Sequence, residues 1–174
     1  MAYGYIIENQ MAAHDVKSYV KAAVAASNVD GGVLVSLGAY SNGAFTVTPA
    51  TSGQNLYIAK NPAQHLVKVG TKVVAGGEIS KDPRDFTNLA SYPFNVEAVK
   101  VGDMVTFTAG NIASGVTPAV GNLLEYTATG YNVVASATTG NTTFKVVAVG
   151  TQPVPQGGIG HENMATYMCM AIQA

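Results

Sequence analysis

The dipeptide Asn42-Gly43 constrains this chain more than any other local feature. It stands between two apolar runs, Val33-Leu34-Val35-Ser36-Leu37 and Ala44-Phe45-Thr46-Val47-Thr48. A two-residue Asn-Gly connection between such runs favours a tight β-hairpin, because both residues accept positive φ and the turn then matches strand twist. Phe45 and Val47 alternate with polar neighbours, which places them on one face of the second strand.

The same grammar recurs along most of the chain. Asp30-Gly31-Gly32 is turn chemistry ahead of Val33, and Leu56-Tyr57-Ile58-Ala59 reads as a further strand. His65 to Val69 and Lys72 to Ala75 follow, parted by Gly70. A polar loop from Gly76 to Ser91 leads through Tyr92-Pro93-Phe94 into a strand over Asn95 to Lys100. Val101-Gly102-Asp103 then turns the chain into Met104-Val105-Thr106-Phe107-Thr108.

In the last third, Leu123 to Thr127 and Tyr131 to Val134 flank Thr129-Gly130. Thr139 to Thr142 forms another turn before Phe144 to Val149, a Pro/Gly-rich loop spans Gln152 to Gly160, and Ala165 to Ile172 closes the chain as a strand. Roughly ten short strands at about 8–12-residue spacing predict a mainly β fold, an antiparallel sandwich or barrel. No alternation of strands with long helical segments is present, which removes dinucleotide-binding and P-loop architectures.

The first 27 residues read differently and are expected to form an N-terminal arm or short helix, with the β domain over 28–174. Between His14 and Ser27, Val16, Tyr19, Val20, Ala23 and Val24 recur at helical spacing among good helix formers. Val16, Ser18, Val20, Ala22 and Val24 also alternate, as in a strand. The alanine content favours the helix.

Charge narrows the function. Only 11% of residues are charged, the net charge is -1, and Arg84 is the single arginine. Duplex binding draws its affinity from clustered cations, so nucleic acid is not an expected partner; Lys17 and Lys21 make an ordinary solvated face. After Asp103 only Glu125, Lys145 and Glu162 carry charge, and polarity comes from Thr, Asn, Ser and Gly. A surface this poor in charge suits a chain packed against copies of itself or a partner better than a free monomer. The start lacks a secretory leader pattern and no apolar run approaches a membrane span, so no membrane partner and folding in a cytoplasm are expected. Cys169 is the only cysteine and has no disulfide partner within the chain.

Candidate chemistry is thin. His14, His65 and His161 lack a second ligand at a zinc-type spacing, so no metal, cofactor or catalytic residue is assigned. Asp82-Pro83-Arg84-Asp85 is the densest charge cluster, and Arg84 between the acids predicts local pairing, or docking of a neighbouring subunit, instead of a calcium site or an acid pair. Cys169 lies in the apolar Tyr167-Met168-Cys169-Met170-Ala171 with nothing to stabilise a thiolate. Gly76-Gly77 and Gly157-Gly158-Ile159-Gly160 lack the following helix or lysine of a phosphate loop. Met164, Met168 and Met170 suit core filling or an adaptable apolar contact.

Across residues 28–150, Asp30 to Gly38, Leu56 to Ala59, Asp82 to Asn88, Tyr92 to Asn95, Val101 to Thr108 and Val120 to Tyr126 follow one another in an order that resembles the small head-decoration, or auxiliary capsid, proteins of tailed bacteriophages. The resemblance implies a β-rich structural virion protein, not an enzyme, that binds the outer surface of the capsid and cements neighbouring subunits. Its implied partners are the major capsid protein and copies of itself, often as a homotrimer, with assembly on the virion after synthesis in the host bacterial cytoplasm. It carries no catalytic, cofactor or metal residues with it. The alternative is a receptor- or carbohydrate-binding module of a phage tail or fibre, a reading weakened by the absence of Trp and the dispersal of nine tyrosines.

Overall fold

Asn42 and Gly43 do take positive φ, 50° and 83°, and they join two antiparallel strands in which Ser41 faces Ala44. The computed structural model describes residues 3–53, 55–63, 66–76, 82–156 and 160–174, with the backbone alone for 155, 156, 160 and 161. Over these residues the protein is mainly β. Its strands are β1 (Ile6–Gln10), β2 (Val20–Ala25), β3 (Leu34–Ser41), β4 (Ala44–Pro49), β5 (Tyr57–Ala59), β6 (Leu66–Val69) and β7 (Lys72–Ala75). There follow β8 (Phe94–Ala98), β9 (Met104–Thr108), β10 (Leu123–Thr127), β11 (Gly130–Val134), β12 (Thr143–Gln156) and β13 (Gly160–Gln173).

Two sheets dominate. One is six-stranded in the order β1-β9-β13-β12-β10-β11; the other closes as a barrel in the order β2-β4-β3-β5-β8. Hairpin β6-β7 stands as a separate pair. Every pairing is antiparallel except β2 with β4.

Strand alternation explains how the sheets share a core. On β3 and β5, Leu34 and Ile58 point out of the barrel into the cluster formed with Phe107, Tyr131, Phe144 and Tyr167 of the large sheet. Their neighbours Val35 and Ala59 point the other way, into the barrel, with Ala23, Ala25, Val47 and Val96. Successive side chains leave a strand on opposite faces, so the two strands serve two cores at once. Apart from Phe94, mostly Ala and Val line the barrel, because a ring of so few strands has little room inside.

The helix favoured over His14–Ser27 is corrected here. Helix α1 covers only Ala12–Asp15, a 3₁₀ turn spans Lys17–Tyr19, and Val20–Ala25 is strand β2. Residues 20–23 of β2 pair with β8 and residues 23–25 with β4, placing Ala23 and Ala25 inside the barrel. A short isolated helix is marginal in water, so backbone pairing with flanking strands and burial of one face override alanine's preference.

The proline-rich stretch after Gln152 also differs from the expected loop. β12 runs through Pro153 and Pro155, which face Asn163 and His161 on β13. β10 pairs with β12 only at residues 143–145, so this distal part has no strand on its outer edge among the described residues. Proline is tolerated on such an edge, where its missing N–H takes no ladder bond away. The tip, 157–159, lies outside the described residues, as do Gln64, His65 and 77–81.

Candidate functional site

The six-stranded sheet buries one face, and among the described residues part of its other face, along β12, stays open. Val105 and Phe107 of β9, Tyr167 and Cys169 of β13, and Phe144 and Val146 of β12 turn inward. A register shift between Val146 and Ala148 bends β12 just where it leaves β10. The outer side there forms an open depression lined by Ile7, Asn9, Thr106, Ala148, Val149, Gly150, Thr151, Gln152, Thr166 and Met168. No Asp, Glu, Lys or Arg is among these residues. Thr106 donates its hydroxyl to Asn9 Oδ1 at 2.8 Å, whereas the buried Oε1 of Gln152 has no hydrogen-bond partner. Ala148, opposite Met168 on the same face, is exposed beside them.

Next to this depression, β12 and β13 continue as a two-stranded ribbon. Val154 and Met164 bury themselves against Tyr5, and Ile7 packs on the same small cluster. Arg84 ties the ribbon to the chain's long polar loop: its Nη1 donates to Glu162 Oε2 at 2.9 Å and its Nη2 to Asp82 Oδ2 at 2.7 Å. Asp82 also accepts from the Arg84 backbone N–H at 2.9 Å. Burial works to raise the Asp82 pKa, yet the Arg84 hydrogen bonds and charge bring it below the ordinary value. The pairing expected within Asp82-Pro83-Arg84-Asp85 thus extends across the fold to Glu162.

The other residues singled out in the sequence are scattered. Cys169 is buried, and desolvation pushes its thiol pKa up to about 12. Met164 belongs to the ribbon cluster, while Met168 and Met170 are half-buried on β13. Gly76 sits against Val67 and Phe86; Gly77 and Gly157 to Ile159 lie outside the described residues, as do His65 and the side chain of His161.

Comparison with protein families, curated proteins and solved structures finds no match to this chain. The site's chemistry therefore rests on its own geometry.

One constellation has no signature in the sequence. Glu8 of β1, His14 of α1, Lys60 just after β5 and Glu97 of β8 converge where the sheet meets the barrel. Lys60 Nζ donates to Glu97 Oε1 at 2.5 Å and to Glu8 Oε2 at 2.9 Å. His14 Nε2 lies 3.2 Å from Glu8 Oε2 and 3.9 Å from Glu97 Oε2. Burial works to lower the Lys60 pKa, but hydrogen bonds and charge from Glu97 and Glu8 outweigh it and raise the pKa. The group was missed because its members come from four separate elements, with no local spacing to mark them.

Proposed function

We propose that this chain is a structural virion protein that binds the outer surface of an assembled tailed-phage capsid and cements neighbouring capsid subunits, acting as a homo-oligomer. The observation that carries this reading is the uncharged depression, open among the described residues, on the outer face of the large sheet, continuous with the β12-β13 ribbon. A neutral face of Thr, Asn, Ala, Val and Met can be desolvated against another protein without leaving a charge unpaired. It offers little to a polyanion or an anionic membrane. Each copy needs only a modest affinity, since many symmetric contacts on one shell act together. The major capsid protein and copies of this chain are accordingly the partners.

The test is co-sedimentation of purified chain with assembled capsids that lack it, followed by heating the particles. Binding with delayed shell opening is expected, and Ala148→Lys, which puts a charge at an exposed position on the outer face beside Met168, should abolish binding while leaving the fold intact. A chain that ignores capsids and instead retains a defined glycan on an array would overturn the proposal in favour of a receptor-binding module.

A further inference from the structure

We infer that Glu8, His14 and Glu97 form a binding site for a divalent transition-metal cation of the zinc class, which braces the large sheet against the barrel. One ligand atom from each of the three lies within 4.8 Å of the others. The deciding feature is Glu97. Its side chain is 2% exposed, and its Oε2 is buried with no hydrogen-bond partner, facing His14 Nε2 at 3.9 Å. A buried carboxylate oxygen without a donor is unfavourable, and a bound cation removes that defect directly.

The donor set selects the kind of ion. An imidazole nitrogen with two carboxylate oxygens suits zinc and its first-row neighbours, whereas calcium and magnesium take oxygen ligands almost alone. Metal–ligand bonds of about 2.0–2.2 Å set tetrahedral ligand atoms about 3.4 Å apart. The present distances, 3.2 Å from His14 Nε2 to Glu8 and 3.9 Å to Glu97 with all three ligand atoms within 4.8 Å, ask for a closing movement of His14 and of the partly exposed Glu8 towards Glu97. The His14 side chain is 39% exposed and that of Glu8 21%, so both have room to move. Its helix is held in place by Asp103, which accepts from Ala12 N–H at 2.8 Å.

Lys60 is the internal competitor. Its ammonium bridges Glu97 Oε1 and Glu8 Oε2, and its side chain is 27% exposed, so it can swing to solvent when a metal takes the carboxylates. Three protein ligands leave a fourth position to water. The inference is independent of capsid binding.

Titration of the full chain with Co²⁺ tests it, since cobalt in such a site gives a visible ligand-field band. One equivalent per chain is expected to bind and to be displaced by Zn²⁺. His14→Ala, at an exposed position, should weaken binding by about a hundredfold or more, because even outer-shell changes cost ten- to a hundredfold. Lys60→Met, which removes the competing ammonium, should tighten it. A wild-type chain that develops no band, or a band that His14→Ala keeps unchanged, overturns the site.

Discussion

The side chain of Asn61 acts as a neighbouring strand for Ile6: Oδ1 accepts the Ile6 N–H at 2.9 Å, and Nδ2 donates to the Ile6 carbonyl at 2.6 Å. β1 is the edge of the large sheet, and Asn61 follows β5 of the barrel, so one amide both caps an open edge and joins the two sheets. Edges left open invite pairing with foreign strands, and this bond pair closes part of one.

Replacing Asn61 by Ala leaves two partly buried backbone groups without partners. A loss of about 2–4 kcal/mol is expected, given about 1–3 kcal/mol for each unsatisfied group. Asn61→Asp keeps the shape but turns an oxygen towards the Ile6 carbonyl, so it should also destabilise. Urea denaturation measures the loss, and faster hydrogen exchange at the Ile6 amide locates it; unchanged protection there would contradict the edge-capping role.

A second link crosses the same boundary. Tyr131 of β11 is fully buried among Phe107 and Phe144, with ring centroids 4.1 and 5.7 Å away, and its hydroxyl donates to the Gly32 carbonyl at 2.9 Å. Tyr131→Phe removes only the hydrogen bond and should cost about 1–2 kcal/mol. Tyr131→Ala also opens a cavity and should cost about 3–5 kcal/mol. Equal effects of the two in chemical denaturation would show that ring packing is not what holds this contact.

Acid should unfold the chain partly through Glu125. Its carboxylate accepts from Thr138 N–H at 2.6 Å, the Thr143 hydroxyl at 3.0 Å and the Asn141 amide at 3.0 Å. Burial works to raise its pKa, but these donors lower it below the ordinary 4.5. A folded pKa below the unfolded one stabilises the protein above the unfolded value, and that contribution disappears as pH falls through the folded value. Asp82 has the same sign. Glu125→Gln should lower stability at neutral pH by about 1–3 kcal/mol and flatten the acid limb; stability measured from pH 7 down to 3 that falls as steeply as in wild type would refute this.

Cys169 should be inert in the folded state. It is fully buried, and burial holds its thiol up to about 12, far from the thiolate that reacts. An aromatic disulfide reagent should modify it only as fast as the chain opens, with full reaction in denaturant. Rapid stoichiometric modification of the native protein would show that β13 opens locally.

Strand positions were legible wherever alternation and turn residues coincided. Asn42-Gly43 announced its hairpin, and Val105 with Phe107 turned out to share the buried face of β9. Val20–Ala25 was less legible, because alanine and valine at those spacings satisfy both periodicities and only the flanking strands choose between them. Pro153 and Pro155 read as loop because a proline reports its own missing donor, not whether a neighbour needed one.

Local chemistry alone determined where this chain turns, which residues alternate, and how little charge it carries after Asp103. The tertiary structure decided which faces meet: that β3 and β5 feed two cores, that Asn61 stands beside Ile6, and that Glu8, His14, Lys60 and Glu97 share one point. The reason is range. Turn and strand preferences act over a few residues, whereas these contacts join positions dozens of residues apart and exist only once the barrel has closed against the sheet.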